Sequence, residues 1–136
     1  MATLRLEIVT PEEKAYSEDV DMVVIPGTEG ELGILPQHVP LLTGIKPGEL
    51  RVMKDGHETF LAVGEGFAEV TQERVIVLTD MALKDTQIDE AAAQEAFNKA
   101  QEALQNQRLS DEEHATVTAS LDKSMAQLNL KRRKHH

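Results

Sequence analysis

Glycine and proline are confined to the first half of this chain, and this division constrains the fold more than any other feature of the sequence. All eight glycines lie between positions 27 and 66 and all five prolines between positions 11 and 47, so residues 67–136 contain neither. Both residues form turns and interrupt helices, whereas their absence permits long helices. The composition therefore predicts a turn-rich unit followed by a helical one.

The turn-rich unit has the signals of short antiparallel strands. Leu4, Leu6 and Ile8 alternate with charged residues, the period of two expected of a strand with one buried face. Asp55-Gly56 supplies the positive φ angles of a two-residue hairpin turn. Further runs rich in β-branched or alternating residues lie at 20–25, 50–63 and 67–77. Six or more short strands within about 85 residues predict an antiparallel β-sandwich over residues 1–86.

After position 86 the hydrophobic period becomes that of a helix. Thr86, with Asp89 three residues later, resembles a capping box and predicts a first helix over residues 87–107. The predicted apolar face of this helix consists of Ile88, Ala92, Ala96, Phe97, Ala100, Ala103 and Leu104.

A second helix is predicted after Ser110, which forms a standard capping box with Glu113. Its apolar stripe is predicted to be Val117, Leu121, Met125 and Leu128. The short connection at 107–110 predicts that the two helices run antiparallel, as a hairpin over residues 87–136. Because alanine buries little apolar area, we expect the hairpin to gain little free energy unless it docks on another surface. We therefore interpret it as a two-state element.

Charge and composition exclude several classes of protein. With 24 acidic and 14 basic side chains the formal net charge is -10, which repels phosphate backbones and disfavours nucleic-acid binding. The absence of cysteine excludes disulfides and thiolate metal sites. Apolar runs such as 22–25 and 75–78 are far shorter than the roughly 18 residues of a membrane-spanning helix, so no direct membrane insertion is expected. Met1–Arg5 lead directly into the strand pattern, so we expect the chain to stay where it is made.

Candidate catalytic groups are few, and neither a metal site nor a cofactor is expected. The segment Gly27–Gly33 is glycine-rich, but it lacks the ending of a phosphate loop and carries two acids, which favours turn glycines. His38 could be a base or a ligand, although a histidine between two prolines is typical of a loop.

Positive charge is concentrated at the C-terminal end. Residues 1–86 hold 16 acids and 7 bases, whereas residues 123–136 hold five bases and no acid. We call the five bases the basic tip: Lys123, Lys131, Arg132, Arg133 and Lys134. They either stabilise the negative C-terminal end of the second helix or bind an acidic partner, and both interpretations stay open.

The segment Gly30–Thr43, GELGILPQHVPLLT, closely resembles the signature of the epsilon subunit of rotary ATP synthases. Residues 45–51, 64–70, 75–78 and 88–89 also match that family, in the same order along the chain. The resemblance covers nearly the whole chain, and the family's fold is likewise a β-sandwich followed by two C-terminal helices.

The resemblance implies a non-catalytic subunit of the central stalk, peripheral on the cytoplasmic face of the inner (plasma) membrane. In the family, the β domain contacts the gamma subunit and the ring of c subunits; here Glu29, Glu31 and His38 occupy the matching surface. The family's hairpin folds onto the β domain or extends into the head, where it inhibits ATP hydrolysis. The basic tip would then meet the alpha and beta subunits.

The family's nucleotide motif is incomplete in this chain. Ile88 and Asp89 match its opening, but Ala92 stands where ATP-binding members carry arginine. We therefore expect no nucleotide cofactor, because the fixed, always-charged guanidinium is missing.

Two rival functions have the same sequence features. A stand-alone β-domain binding module with a regulatory helical tail would not bind gamma. A small hydrolase would show turnover in simple activity screens of the isolated chain.

Overall fold

The computed structural model describes residues 2–133, which form ten strands, a short 3-10 turn and two helices. The strands are β1 (Leu4–Val9), β2 (Lys14–Val20), β3 (Met22–Gly27), β4 (Gly30–Ile34), β5 (Leu41–Ile45), β6 (Gly48–Lys54), β7 (His57–Val63), β8 (Gly66–Val70), β9 (Arg74–Thr79) and β10 (Ala82–Lys84). The 3-10 turn spans Asp85–Gln87, and the helices are α1 (Glu90–Asn106) and α2 (Asp111–Arg133).

Nine strands follow one hydrogen-bonded path, β10-β7-β6-β3-β5-β8-β9-β1-β2, and β4 pairs with β3. Among the described strands, β1 and β9 are the one parallel pair. Side chains from both ends of this path, Ala82 of β10 and Tyr16 of β2 among them, meet in a single core. The sheet therefore curls over on itself, and the predicted α+β fold, a β-sandwich followed by a two-helix hairpin, is confirmed.

Local predictions for the strands are also confirmed. Leu4, Leu6 and Ile8 are buried, and the residues between them are partly exposed. At the β6–β7 turn, Asp55 and Gly56 have φ angles of 52° and 77°, and Lys54 pairs with His57 on either side. The turn is the two-residue hairpin that an Asp-Gly pair favours.

The first helix begins later than the sequence predicts. Its N-cap is Asp89, whose side chain accepts a 3.0 Å hydrogen bond from the Ala92 amide, so the capping role predicted for Thr86 is wrong. Thr86 lies in the 3-10 turn, where Gln87 Oε1 accepts instead from the Lys84 amide. The structure also corrects the predicted apolar face, because Ala92 is exposed and Ala93 is buried.

For the second helix, the structure confirms the predicted cap at Ser110 and corrects the predicted apolar stripe. The Ser110 amide donates to Glu113 Oε1 and the Glu113 amide to Ser110 Oγ, each at 3.1 Å, as in a capping box. Hydrogen bonding of the Glu113 carboxyl to the Ser110 amide, and secondly to the Ser110 side chain, lowers the pKa of that carboxyl. Met125 is 41% exposed, so its place in the stripe is wrong. The buried residues are Ser124, Ala126, Leu128 and Leu130.

The wider burial of α2 follows from its position between α1 and the sheet. α2 contacts β6 and β7 on one side, while α1 packs against its other side. Arg132, near the end of α2, donates to Gln94 in the first turns of α1, so the two helices run antiparallel as predicted. A second apolar cluster joins α2 to the β domain through Ala62, Ile88, Ala126 and Leu130. We call this arrangement the docked hairpin.

Candidate interaction surfaces

Glu29 and Glu31 lie on the exposed β3–β4 hairpin. Gly27 pairs with Gly30 across the two-residue turn that contains Glu29, which confirms a turn at the start of this glycine-rich segment, whereas Gly33 pairs with Val24 inside β4. The Glu31 side chain is 66% exposed, and its Oε1 atom lies 4.0 Å from the Arg51 guanidinium. The end of this hairpin thus presents acidic groups to solvent.

His38 lies at the opposite end of β4, in the loop that leads to β5. The Gln37 amide donates to the Gln72 carbonyl at 2.7 Å, and Gln37 has a φ of 67°. His38 Nδ1 lies 2.7 Å from the Val39 carbonyl oxygen. The structure therefore does not bring His38 together with Glu29 and Glu31. Within residues 2–133, no group of three or more His, Asp or Glu side chains could hold a metal ion.

Three adjacent strands expose large apolar side chains. Leu42 of β5, Phe67 of β8 and Leu78 of β9 are 70%, 61% and 53% exposed. Phe67 lies directly opposite Leu78, and Leu42 points to the same side because it is two residues from Gly44, the other partner of Phe67. We call these three residues the outer apolar face. Exposed apolar groups aligned in this way are typical of a protein interface.

The sequence analysis missed this face, although the strand pattern contained a signal. In β8 the inward positions are Ala68 and Val70, and the outward ones are Phe67 and Glu69. Phe67 alternates with the inward residues and shares its side of the strand with the charged Glu69. An aromatic residue at such a position points away from the core.

The described residues of the basic tip all contact other parts of the chain, while Lys134 lies outside the described residues. Lys123 Nζ lies 3.2 Å from Asp80 Oδ2. Lys131 Nζ donates to the Asp85 carbonyl at 3.0 Å. Arg132 donates to Gln94 Oε1 at 2.7 Å and lies 3.8 Å from Glu90. These bases tie α2 to the 3-10 turn, to α1 and to the β domain.

Arg133 makes a different contact, over the outer surface of β6 and β7. Its guanidinium lies 2.8 Å from Glu49 Oε2 and 4.7 Å from the centroid of the Phe60 ring. The Glu49 side chain is only 16% exposed, and its Oε1 atom is buried without a hydrogen-bond partner among residues 2–133. Burial raises the pKa of the Glu49 carboxyl, and the nearby positive charges of Arg133 and Arg51 offset that effect only in part.

The residues that match the nucleotide motif have structural roles in the docked hairpin. Ile88 is 5% exposed and belongs to the apolar cluster beneath α2. Asp89 caps α1, and Ala92 is exposed on the first turn of that helix.

Neither α1 nor α2, the two helices of residues 2–133, is long and apolar enough to cross a membrane. Protein-family models match both parts of the chain. Residues 3–85 match the model described as "ATP synthase, Delta/Epsilon chain, beta-sandwich domain", and residues 86–131 match "ATP synthase, Delta/Epsilon chain, long alpha-helix domain".

Curated relatives match over nearly their whole length. The chain is 46% identical over 129 residues to the ATP synthase epsilon chain of Alkalilimnicola ehrlichii, covering 94% of this chain and 91% of the relative. It is 44% identical over 137 residues to the ATP synthase epsilon chain of Dehalococcoides mccartyi, covering 99% and 98%.

A solved structure has the same fold. It is a chain of the Euglena gracilis mitochondrial ATP synthase, in a structure of OSCP, F1 and c-ring, with a TM-score of 0.77 and 22% identity. The match covers 100% of this chain and 83% of the Euglena chain.

Proposed function

Because this chain belongs to the delta/epsilon chain family of ATP synthases, we propose that it is a non-catalytic central-stalk subunit that couples rotation of the c-subunit ring to the catalytic head. The observation that carries the proposal is the outer apolar face, which a subunit that functions by binding its neighbours requires. In this proposal the chain is peripheral, held on the cytoplasmic face of the inner (plasma) membrane through the complex.

We assign the outer apolar face to the gamma subunit. Leu42, Phe67 and Leu78 lie on β5, β8 and β9, whereas the docked hairpin lies against β6 and β7. A rigid sheet therefore carries the gamma contact, and hairpin movement leaves that contact in place. The His38 loop follows β4 and leads directly into β5, so His38 belongs to the gamma contact.

The ring contact belongs to the other end of β4. Glu29 and Glu31 are exposed on the β3–β4 hairpin, away from the His38 loop. Carboxylates at this position recognise polar or basic groups on the loops of the c subunits through charge-assisted hydrogen bonds. The three predicted contact residues thus divide between two partners.

Inhibition of ATP hydrolysis is assigned to the hairpin in an extended state. Released from the β domain, α2 would carry the basic tip, from Lys123 to Lys134, to acidic segments of the alpha and beta subunits. Charge pairing in a partly desolvated cavity is stronger than at an open surface. No contact of the tip with the β domain would remain in that state.

The gamma assignment is tested with the purified chain and its gamma subunit on a sizing column. We expect a stoichiometric complex, and we expect Phe67→Ser to weaken its affinity by about tenfold or more, since aromatic side chains dominate interface energies. Met53→Ser is the matched control, because Met53 is an exposed apolar residue on β6, outside the outer apolar face. Separate elution of the unmodified proteins would refute the function, and equal weakening by both variants would refute the assigned surface.

A further inference from the structure

Glu49 is a carboxylate that the docked hairpin covers. It lies on β6 opposite Ala62 of β7 and in contact with Arg133 at the end of α2, and 16% of its side chain is exposed. Among the described residues, Arg133 is the one cation within 4.0 Å of its oxygens. Arg51, on the same strand, lies within that distance of Glu31 and Glu58 instead.

From this geometry we propose that Arg133 is a latch: its guanidinium neutralises Glu49 and stacks on Phe60, and while Glu49 carries its charge the hairpin needs that contact to dock. The contact joins the last described residue of α2 to two β-domain residues far away in sequence. Without it, docking would bury an uncompensated carboxylate, which is far more costly than leaving the same group in water.

The latch is asymmetric. Removing Arg133 leaves the Glu49 charge buried, whereas replacing Glu49 by glutamine removes the group that needs compensation. The raised pKa of Glu49 agrees with this asymmetry, because the pair with Arg133 offsets only part of the effect of burial. Docking is therefore weakened by losing the cation and is little changed by losing both charges.

The latch also makes two contacts of the basic tip mutually exclusive. The Arg133 guanidinium cannot bind Glu49 and an acidic surface of the catalytic head at the same time. The β domain thus competes with the head for one side chain, and this second half of the inference rests on the proposed function.

The first half is tested on the isolated full-length chain. Since the chain has no cysteine, Ala126→Cys provides a single thiol on the side of α2 that packs against the β domain, where Ala126 is 5% exposed. The rate at which a thiol reagent labels it reports the released population. In this background we expect Arg133→Gln to raise the labelling rate about tenfold and Glu49→Gln/Arg133→Gln to return it to within about threefold of the parent.

Arg132→Gln is the matched control, because it removes the same charge from the neighbouring residue, whose contacts are with α1. We expect it to change the labelling rate less than about twofold. Equal rates for the Arg133→Gln and Arg132→Gln variants, or no recovery in the double variant, would overturn the latch. The same variants with Ala126 intact are compared through the methyl NMR signals of Ala62 and Leu130, which guards against an effect of the cysteine itself.

The second half is tested in the assembled complex with Glu49→Lys, which repels Arg133 but leaves the basic tip intact. We expect ATP hydrolysis to fall at least about twofold below that of the unmodified complex, because the released tip is free for the head. An unchanged hydrolysis rate would overturn the competition. If the unmodified chain does not assemble with gamma, the proposed function is refuted, but the labelling result on the isolated chain still tests the latch.

Discussion

Gly66 is the glycine at which an added Cβ atom would come closest to another atom. It begins β8, opposite Thr79, and a Cβ atom built there would lie 1.8 Å from the Leu78 carbonyl oxygen. The neighbouring atoms are backbone, so they cannot move aside as a flexible side chain would. Gly66, the residue before Phe67 of the outer apolar face, therefore has no room for a side chain.

We expect Gly66→Ala to lower the free energy of unfolding of the β domain by about 2 kcal/mol or more, because β8 and β9 must separate to admit the methyl group. Gly33→Ala is the control: its Cβ would meet only the end of the Met22 side chain, at 2.9 Å. Denaturant unfolding followed by circular dichroism compares the two variants. Equal loss of stability would contradict the assigned role of the close backbone approach.

Local pairs of residues were predictable except at the start of α1, where Asp89 and not Thr86 is the cap, whereas contacts between residues distant in sequence were not predictable. The Ser110–Glu113 box and the Asp55-Gly56 turn depend on a few neighbouring residues, and both are confirmed. Glu49 pairs with Arg133, which lies far away in sequence, and no local pattern specifies that pair. The sequence of β8 indicated that Phe67 points away from the core. It did not indicate that Phe67 is exposed, because that depends on whether another element covers it, and within residues 2–133 none does.

At the scale of elements, α2 has two different halves. Residues 111–116 are exposed, whereas the second half carries every buried residue of the helix. Docking and the basic tip therefore belong to the same half. The single stripe predicted from the sequence was too narrow because a helix packed between two neighbours buries more than one face, which explains why Ala126 and Leu130 were missed.

Ending the chain at Lys123 removes that second half. In the assembled complex we expect ATP hydrolysis to rise severalfold, because both the inhibitory helix and most of the basic tip are lost. We expect binding to gamma to stay unchanged, since the outer apolar face lies on β5, β8 and β9. Hydrolysis is measured with a coupled ATPase assay, and equal rates for full-length and shortened chains would contradict an inhibitory hairpin.

At the scale of the whole molecule, two clusters of different size hold the chain together. The large core is built from the strands and includes Leu6, Ile25 and Leu61, whereas the joint to the hairpin is built around Ala62, Ile88, Ala126 and Leu130. The order of these units was predictable from composition and period. Which strands pair with each other was not predictable, because a period of two identifies a strand but not the strand beside it.

We expect residues 1–86 to fold alone with a cooperative thermal transition, because all ten strands found in residues 2–133 lie within them. Residues 87–136 alone should show no cooperative transition, since α2 would lose the sheet against which it packs. Circular dichroism melts of the two fragments provide the measurement. A cooperative, monomeric melt of the helical fragment would show that the hairpin does not depend on docking.

The parallel pair of β1 and β9 can form only after most of the β domain has been synthesised. β1 can pair at once with β2, which follows it directly, but its other edge pairs with β9, where Arg5 lies opposite Arg74. That edge therefore stays open on the ribosome until about seventy further residues have been made, and late closure of this kind slows folding. Arg5 and Glu7 place charges on β1 while its second edge is still unpaired, and these charges disfavour pairing with another nascent chain.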